Sequence, residues 1–97
     1  MSVNREQILL AMQNALLGEI SPALRSVSVK FSGDAIHFDA YFHGEIAPED
    51  WESMSCVETE LIALMPEDII TSHSNHRIDF PEVLPKCDPL VYSRREY

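Results

Sequence analysis

The sequence has 97 residues, of which 45% are hydrophobic and 24% are charged, and its formal net charge at pH 7 is -9. This length suits one hydrophobic core, so we expect residues 1–97 to form a single domain. Only 7 Lys and Arg stand against 16 Asp and Glu. Direct binding to nucleic acid or to an anionic membrane is therefore disfavoured, because each phosphate contact needs a cation.

Two features of the sequence favour a cytoplasmic location. The first fifteen residues include Arg5, Glu6 and Gln13 among their apolar positions, so they lack the continuous apolar stretch of a signal peptide or a membrane span. Two cysteines, Cys56 and Cys87, are too few for a disulfide framework and lack the CxxC spacing of a zinc site. We therefore expect both to be free thiols.

Residues 4–18 carry the signals of an amphipathic helix. Asn4 can cap the helix with Gln7 three residues later, and Gly18 can end it in the left-handed conformation. The apolar positions between them recur every three or four residues, at Ile8, Leu9, Met12, Ala15 and Leu16. This spacing predicts a helix with one apolar side.

Residues 26–43 alternate between apolar and polar side chains, which is the period of a β-strand. The tight turn Ser32-Gly33-Asp34 divides the segment, so it predicts a β-hairpin. The apolar positions are Val27, Val29, Phe31, Ile36, Phe38, Ala40 and Phe42, and the polar ones are Ser26, Ser28, Lys30, His37, Asp39, Tyr41 and His43. We expect the polar side to face solvent.

A second helix is predicted after Gly44. Pro48 fits its first turn, and Pro66 ends it. Negative charge at the positive end of the helix dipole comes from Glu49, Asp50 and Glu52. The expected core-facing residues are Trp51, Met54, Val57, Leu61, Leu64 and Met65. We interpret Trp51 as covering the core, with an exposed interface anchor as the alternative, and Cys56 as a small buried residue.

The remaining third of the sequence predicts two more strands. A polar strand runs from Ile69 through Asp79, and a short strand begins at Leu90 after three prolines, Pro81, Pro85 and Pro89. The complete order is α-β-β-α-β-β. Because each strand has one apolar side, we expect an α+β two-layer sandwich, with a mainly antiparallel sheet and both helices on one face.

The strongest functional signal is an uneven distribution of charge. No Lys or Arg lies between Lys30 and Arg77, whereas the acidic residues there are Asp34, Asp39, Glu45, Glu49, Asp50, Glu52, Glu58, Glu60, Glu67 and Asp68. Such a surface either keeps a small protein dispersed or binds a basic partner. The candidate partner-binding residues are His37, Asp39, Tyr41 and His43 on the hairpin, and Glu49, Asp50 and Glu52 on the second helix.

Catalytic and metal chemistry is disfavoured. His37, Asp39 and His43 share one predicted strand face, but no further ligand gives a recognisable metal-binding spacing. His73 and His76 form an HxxH motif on a predicted strand, where a spacing of three places the two rings on opposite faces. We therefore predict no catalytic residue, no metal site and no cofactor.

Three stretches together resemble a known group of proteins: ALLGEISPALRSVSV at 15–29, GEIAPEDWESMSCVETELIA at 44–63 and LPKCDPLVYSRREY at 84–97. They are similar to small bacterial immunity proteins of contact-dependent growth inhibition and related polymorphic toxin systems. The resemblance implies a cytoplasmic antitoxin that binds the toxin domain of a delivered effector, commonly a nuclease. It carries over no catalytic residue and no contact residue.

The leading hypothesis is therefore an immunity protein whose acidic surface binds a basic toxin domain, in competition with nucleic acid. The first alternative is a homo-oligomeric regulatory or scaffold module without catalytic activity, and a homodimer is possible in either case. The second is a small hydrolase that uses His37, Asp39 and His43.

Overall fold

The computed structural model describes residues 4–85, 90–94 and 96, and these form two helices and four strands in the predicted order. The elements are α1 (Arg5–Leu16), β1 (Leu24–Ser32), β2 (Ala35–Phe42), α2 (Pro48–Leu64), β3 (Ile70–Arg77) and β4 (Leu90–Ser93). The predictions for Cys87 and Pro89 lie outside the described residues. Within them, the α+β class and the element order are confirmed.

α1 begins and ends at the residues that the sequence predicts. The Asn4 side chain accepts a hydrogen bond from the Gln7 N–H at 2.8 Å, and the Gln7 side chain accepts one from the Asn4 N–H at 2.9 Å. This reciprocal capping box satisfies two backbone donors that the first helical turn cannot pair. Gly18 follows the helix with φ of 82°, a conformation that glycine adopts without the strain of a Cβ atom.

The sheet is mixed rather than mainly antiparallel, with the strand order β3-β2-β1-β4. β1 pairs antiparallel with β2 and with β4, whereas β2 and β3 are parallel from Ala35 and Ile70 to Phe42 and Arg77. The cause is α2, which carries the chain from the end of β2 back to the start of β3, so that both strands run the same way. Because β3 stands first in the strand order, it is an edge strand.

The strand register defines two faces of the sheet. Val27 opposite Ala40 and Val29 opposite Phe38 mark the face that packs against the helices, which we call the helix face. The opposite one, the polar face, carries Ser26, Tyr41, Ser28, Asp39, Lys30 and His37. The core joins the helix face to buried residues of both helices, which are Ile8, Ala11, Met12, Ala15 and Leu16 from α1 and Met54, Val57 and Leu61 from α2. The two-layer arrangement is thus as expected.

A buried ion pair ties the end of the described chain to β1. The pairing of β1 with β2 shifts register around Arg25, a residue that is only 2% exposed. Its guanidinium donates to both carboxylate oxygens of Glu96, at 2.6 and 2.8 Å, and to the Ile78 carbonyl at 2.8 Å. The hydrogen bond from Arg25 is the main reason that the pKa of Glu96 falls to about 2. Residue 96 is therefore held against the sheet.

Candidate partner-binding surface

The outward side of α2 is acidic and carries no compensating cation. The helix contains Glu49, Asp50, Glu52, Glu58 and Glu60 but neither Lys nor Arg. Glu49, Glu52 and Glu60 are exposed, and spacings of three and eight residues place them on the same outward side of an α-helix. We call these three residues the acidic side of α2. The predicted exposure of Glu49 and Glu52 is confirmed.

Asp50 is buried, contrary to the exposure expected at the start of α2. It is 8% exposed, and it shares the buried side of the helix with Met54, Val57 and Leu61. Spacings of four, seven and eleven residues from Asp50 reach these three core positions, so the helical period itself turns Asp50 inward. The same spacing can be read from the sequence, but the expectation that Asp50 is exposed rested only on its charge.

Trp51 is exposed, and the interpretation that it covers the core is wrong. Its exposure is 51%, and Ile62, eleven residues later on the same side of the helix, is 52% exposed. Between them lies Glu58, whose carboxylate accepts hydrogen bonds from His73 and Thr71 of β3. We call Trp51, Glu58 and Ile62 the Trp51 stripe. The contacts of Glu58 with β3 show that this stripe lies beside that strand.

Cys56 is also exposed, and the interpretation that it is a buried packing residue is wrong. On α2 it follows Glu52 by four residues and precedes Glu60 by four, so it lies on the acidic side of the helix. Its thiol is free, as the sequence predicts.

A hydrogen-bonded cluster joins β2 and β3 on the polar face. The Asp39 carboxylate accepts hydrogen bonds from His37 Nε2 at 3.1 Å and from His76 Nε2 at 2.9 Å. His37 Nδ1 lies 2.8 Å from the Ser72 hydroxyl, and the Tyr41 ring stacks on His76 with centroids 5.0 Å apart. The cluster therefore ties two strands together through a single carboxylate.

Asp39 and Tyr41 are buried, although their side of the hairpin was expected to face solvent. They are 6% and 5% exposed, because the histidine rings and neighbouring strands cover them. Burial raises the pKa of Asp39, but the hydrogen bonds from His76 and His37 outweigh it, so the pKa lies below the ordinary value of 3.8. Asp39 is thus an ionised structural link rather than a free surface charge.

His43 does not join this cluster. It is exposed, and its Nδ1 accepts a hydrogen bond from the Phe80 backbone N–H at 2.8 Å. The sequence predicted that His37, Asp39 and His43 lie together. In the structure, Asp39 contacts His37 and His76 instead. This change follows from the parallel pairing of β3, which places His76 opposite Tyr41.

The two histidines of the HxxH motif lie on opposite faces of β3, as predicted. His76 contacts Asp39 on the polar face, whereas His73 donates a hydrogen bond to Glu58 of α2. The His73 ring also stacks on Phe38, with centroids 5.0 Å apart and an interplanar angle of 11°. Within residues 4–85, 90–94 and 96, no three His, Cys, Asp or Glu side chains are arranged to hold a metal ion.

A comparison with known protein families matches residues 5–96 to the family of MafI2 immunity proteins. The chain belongs to this family. The match confirms the resemblance to small bacterial immunity proteins of polymorphic toxin systems. No curated protein matches the sequence.

Membership in the MafI2 family supports an immunity role with a toxin as the partner. The structure separates six of the seven predicted contact residues into two groups on opposite sides of the sheet. Glu49, Asp50 and Glu52 lie in the helical layer, whereas His37, Asp39 and Tyr41 lie on the polar face. One flat contact surface cannot include both groups, so the structure demands a choice between them.

Neither described helix is long and apolar enough to cross a lipid bilayer.

Proposed function

We propose that this MafI2 immunity protein neutralises a basic toxin domain, a nuclease, by binding it through the acidic side of α2. The observation that carries the proposal is the set of three exposed carboxylates, Glu49, Glu52 and Glu60, on a helix without a basic residue. A nuclease must bind polyanionic substrate, which requires a cationic cleft. An acidic helix is electrostatically complementary to such a cleft and competes with the nucleic acid for it.

The distribution of ion pairs supports this choice. Arg25 and Arg94 both pair with Glu96, and Arg77 pairs with Asp79. These three cations therefore pair with carboxylates near the end of the sheet and not with the carboxylates of α2. Exposed carboxylates on a helix that contains no basic residue can raise the rate at which a cationic partner is captured.

The polar face is the less favourable of the two surfaces. Its one carboxylate, Asp39, is buried and already accepts hydrogen bonds from two imidazoles. Displacing those hydrogen bonds would cost about 1 to 3 kcal/mol. The proposed contact surface therefore excludes His37 and His43, and Asp39 and Tyr41 act mainly by holding their neighbours in place.

The test is the double variant Glu49→Lys with Glu52→Lys, mixed with the cognate toxin domain. We expect the association rate at low salt to fall by about tenfold, with the difference shrinking as salt screens the charges. Stopped-flow mixing over a range of ionic strengths measures it. Light scattering of the same samples distinguishes a 1:1 complex from a homodimer of the immunity protein.

The matched control is Glu6→Lys with Glu82→Lys, which changes net charge equally at exposed sites outside α2. It should slow association much less than the α2 double variant, because local charge dominates at contact distance. Equal slowing by both variants would show that net charge alone matters. Unchanged rates in the α2 variant would refute the role of its acidic side.

A further inference from the structure

The outer edge of β3 presents unpaired backbone groups. The Ile70 N–H donates to the Asp34 carbonyl at 2.7 Å, and the Ile78 N–H donates to the Phe42 carbonyl at 2.9 Å. Because N–H and C=O directions alternate along a strand, the even-numbered residues from 70 to 78 point these groups toward β2. The odd-numbered ones point theirs outward, and they are Thr71, His73, Asn75 and Arg77. In the described part of the chain, no backbone group pairs with these outward groups.

β3 lacks the features that commonly block the edge of a sheet. It contains neither Lys nor Pro, and it pairs with β2 over eight consecutive residues without a bulge. Its one charged side chain, Arg77, lies at the end of the strand and pairs with Asp79. The edge is therefore regular over its whole length and lacks these common barriers to another strand.

Side-chain contacts on both faces hold this edge in place. On the polar face, Ser72 contacts His37 and His76 contacts Asp39. On the helix face, His73 is fixed by Glu58 and by stacking on Phe38. A template that is already ordered loses little conformational entropy when a partner strand binds to it.

The Trp51 stripe supplies apolar contacts beside the same edge. Glu58, in the middle of the stripe, contacts Thr71 and His73, so the exposed Trp51 and Ile62 flank the side of α2 that covers β3. A strand added to β3 would direct every second side chain toward this stripe. Backbone pairing and apolar anchoring would then act on one segment of the partner.

We propose that β3 accepts an extended cationic segment of the toxin as an additional strand, packed beside Trp51 and Ile62. This inference rests on the proposed function and adds a second contact with the toxin to the one made by the acidic side of α2. Charge decides between the possible occupants. A second copy of this chain would bring another net charge of -9 to the edge, whereas a basic segment is attracted to it.

Amide hydrogen exchange, followed by NMR with and without the cognate toxin domain, tests the inference. In the free protein, the inward amides of Ser72, Ser74 and His76 should exchange slowly and the outward amide of Asn75 quickly. Toxin binding should slow exchange at Thr71, His73, Asn75 and Arg77 by at least about tenfold, because each N–H gains a hydrogen bond. Binding through α2 alone would leave these four amides unchanged.

A pair of variants at Asn75 provides a second measurement. Both polar atoms of its side chain are buried without a hydrogen-bond partner among the described residues, so replacing the side chain costs little. Asn75→Pro removes the outward N–H but no bond to β2, whereas Asn75→Val keeps that N–H. We expect the Kd for the toxin domain to rise about tenfold or more for proline and to stay within about twofold for valine. Unchanged protection of the Ser74 and His76 amides confirms that β3 is intact.

The outcomes distinguish this inference from the function on which it rests. A tight complex without protection of the outward amides, or with equal affinity of the two Asn75 variants, would overturn strand addition and leave the immunity role standing. No complex at all would overturn both. Protection that appears in the protein alone and rises with its concentration would assign the edge to a second copy of the chain instead.

Discussion

The helix face and the polar face of the sheet are both buried at their centres, but for different physical reasons. On the helix face, Val29 and Phe38 are fully buried among apolar side chains. On the polar face, Ser28, Asp39 and Tyr41 are nearly as inaccessible, yet Asp39 and Tyr41 contact histidine side chains through hydrogen bonds and ring stacking. Alternation along a strand thus determines the face to which a residue belongs, but not its exposure.

The two faces also differ in how their burial affects stability. Removing apolar area from water stabilises the helix face directly, by roughly 25 cal/mol per Å². A buried polar group stabilises only when its hydrogen bonds are made, since an unpaired one costs free energy. The helix face should therefore be sensitive to lost volume and the polar face to lost hydrogen bonds.

The largest expected effect is that of Phe38→Ala on the helix face. Phe38 is fully buried and stacked on His73, so its truncation should lower the free energy of unfolding by about 3 to 5 kcal/mol. Urea denaturation measures this change. The control is Phe31→Ala, a residue of the same type on the same face that is 38% exposed. A similar loss in both variants would contradict a core centred on Phe38.

A smaller effect is expected for Asp39→Asn on the polar face, about 1 to 2 kcal/mol near pH 7, because the amide has one acceptor and no charge. The pKa of Asp39 is lowered in the folded state. Its ionisation therefore contributes fully above the ordinary value of 3.8 and is lost as pH falls through the folded value. Denaturation between pH 7 and 3 should show the variant and the original protein converging in acid.

Glu60→Gln is the control for this pH dependence, because Glu60 is an exposed carboxylate on α2. It should stay within about 0.5 kcal/mol of the original protein at every pH. If Asp39→Asn behaved in the same way, the carboxylate would not stabilise the polar face, and its two histidine contacts would be energetically neutral.

Local signals in the sequence predicted the elements well. The capping residues of α1, the hairpin turn and the two prolines around α2 each act within a few residues, so their effects can be read without knowledge of the fold. The direction of β3 could not be read this way. It depends on how α2 crosses the sheet, and the polar sequence of β3 has no apolar alternation strong enough to specify its partner.

The candidate site was less predictable for the same reason. His76 reaches Asp39 because β3 pairs in parallel beside β2, a contact between residues 37 positions apart. The exposure of Trp51 and the burial of Asp50 do not depend on strand pairing, because helical spacing alone separates the buried side of α2 from the exposed side. Their positions could have been predicted by giving the helical period more weight than residue type.

The smallest expected effect is the sharpest test of the difference between the faces. The Ser28 side chain is fully buried beside Asp39, and its hydroxyl has no hydrogen-bond partner among the described residues. Ser28→Ala should therefore leave stability unchanged or raise it by up to about 1 kcal/mol, because it removes an unpaired polar group. Its neighbour Val29 gives the control, since Val29→Ala on the helix face should destabilise by about 2 kcal/mol. Thermal denaturation of both variants decides whether Ser28 contributes to the polar network. If Ser28→Ala lowered stability as much as Val29→Ala, the Ser28 hydroxyl would be hydrogen-bonded in solution.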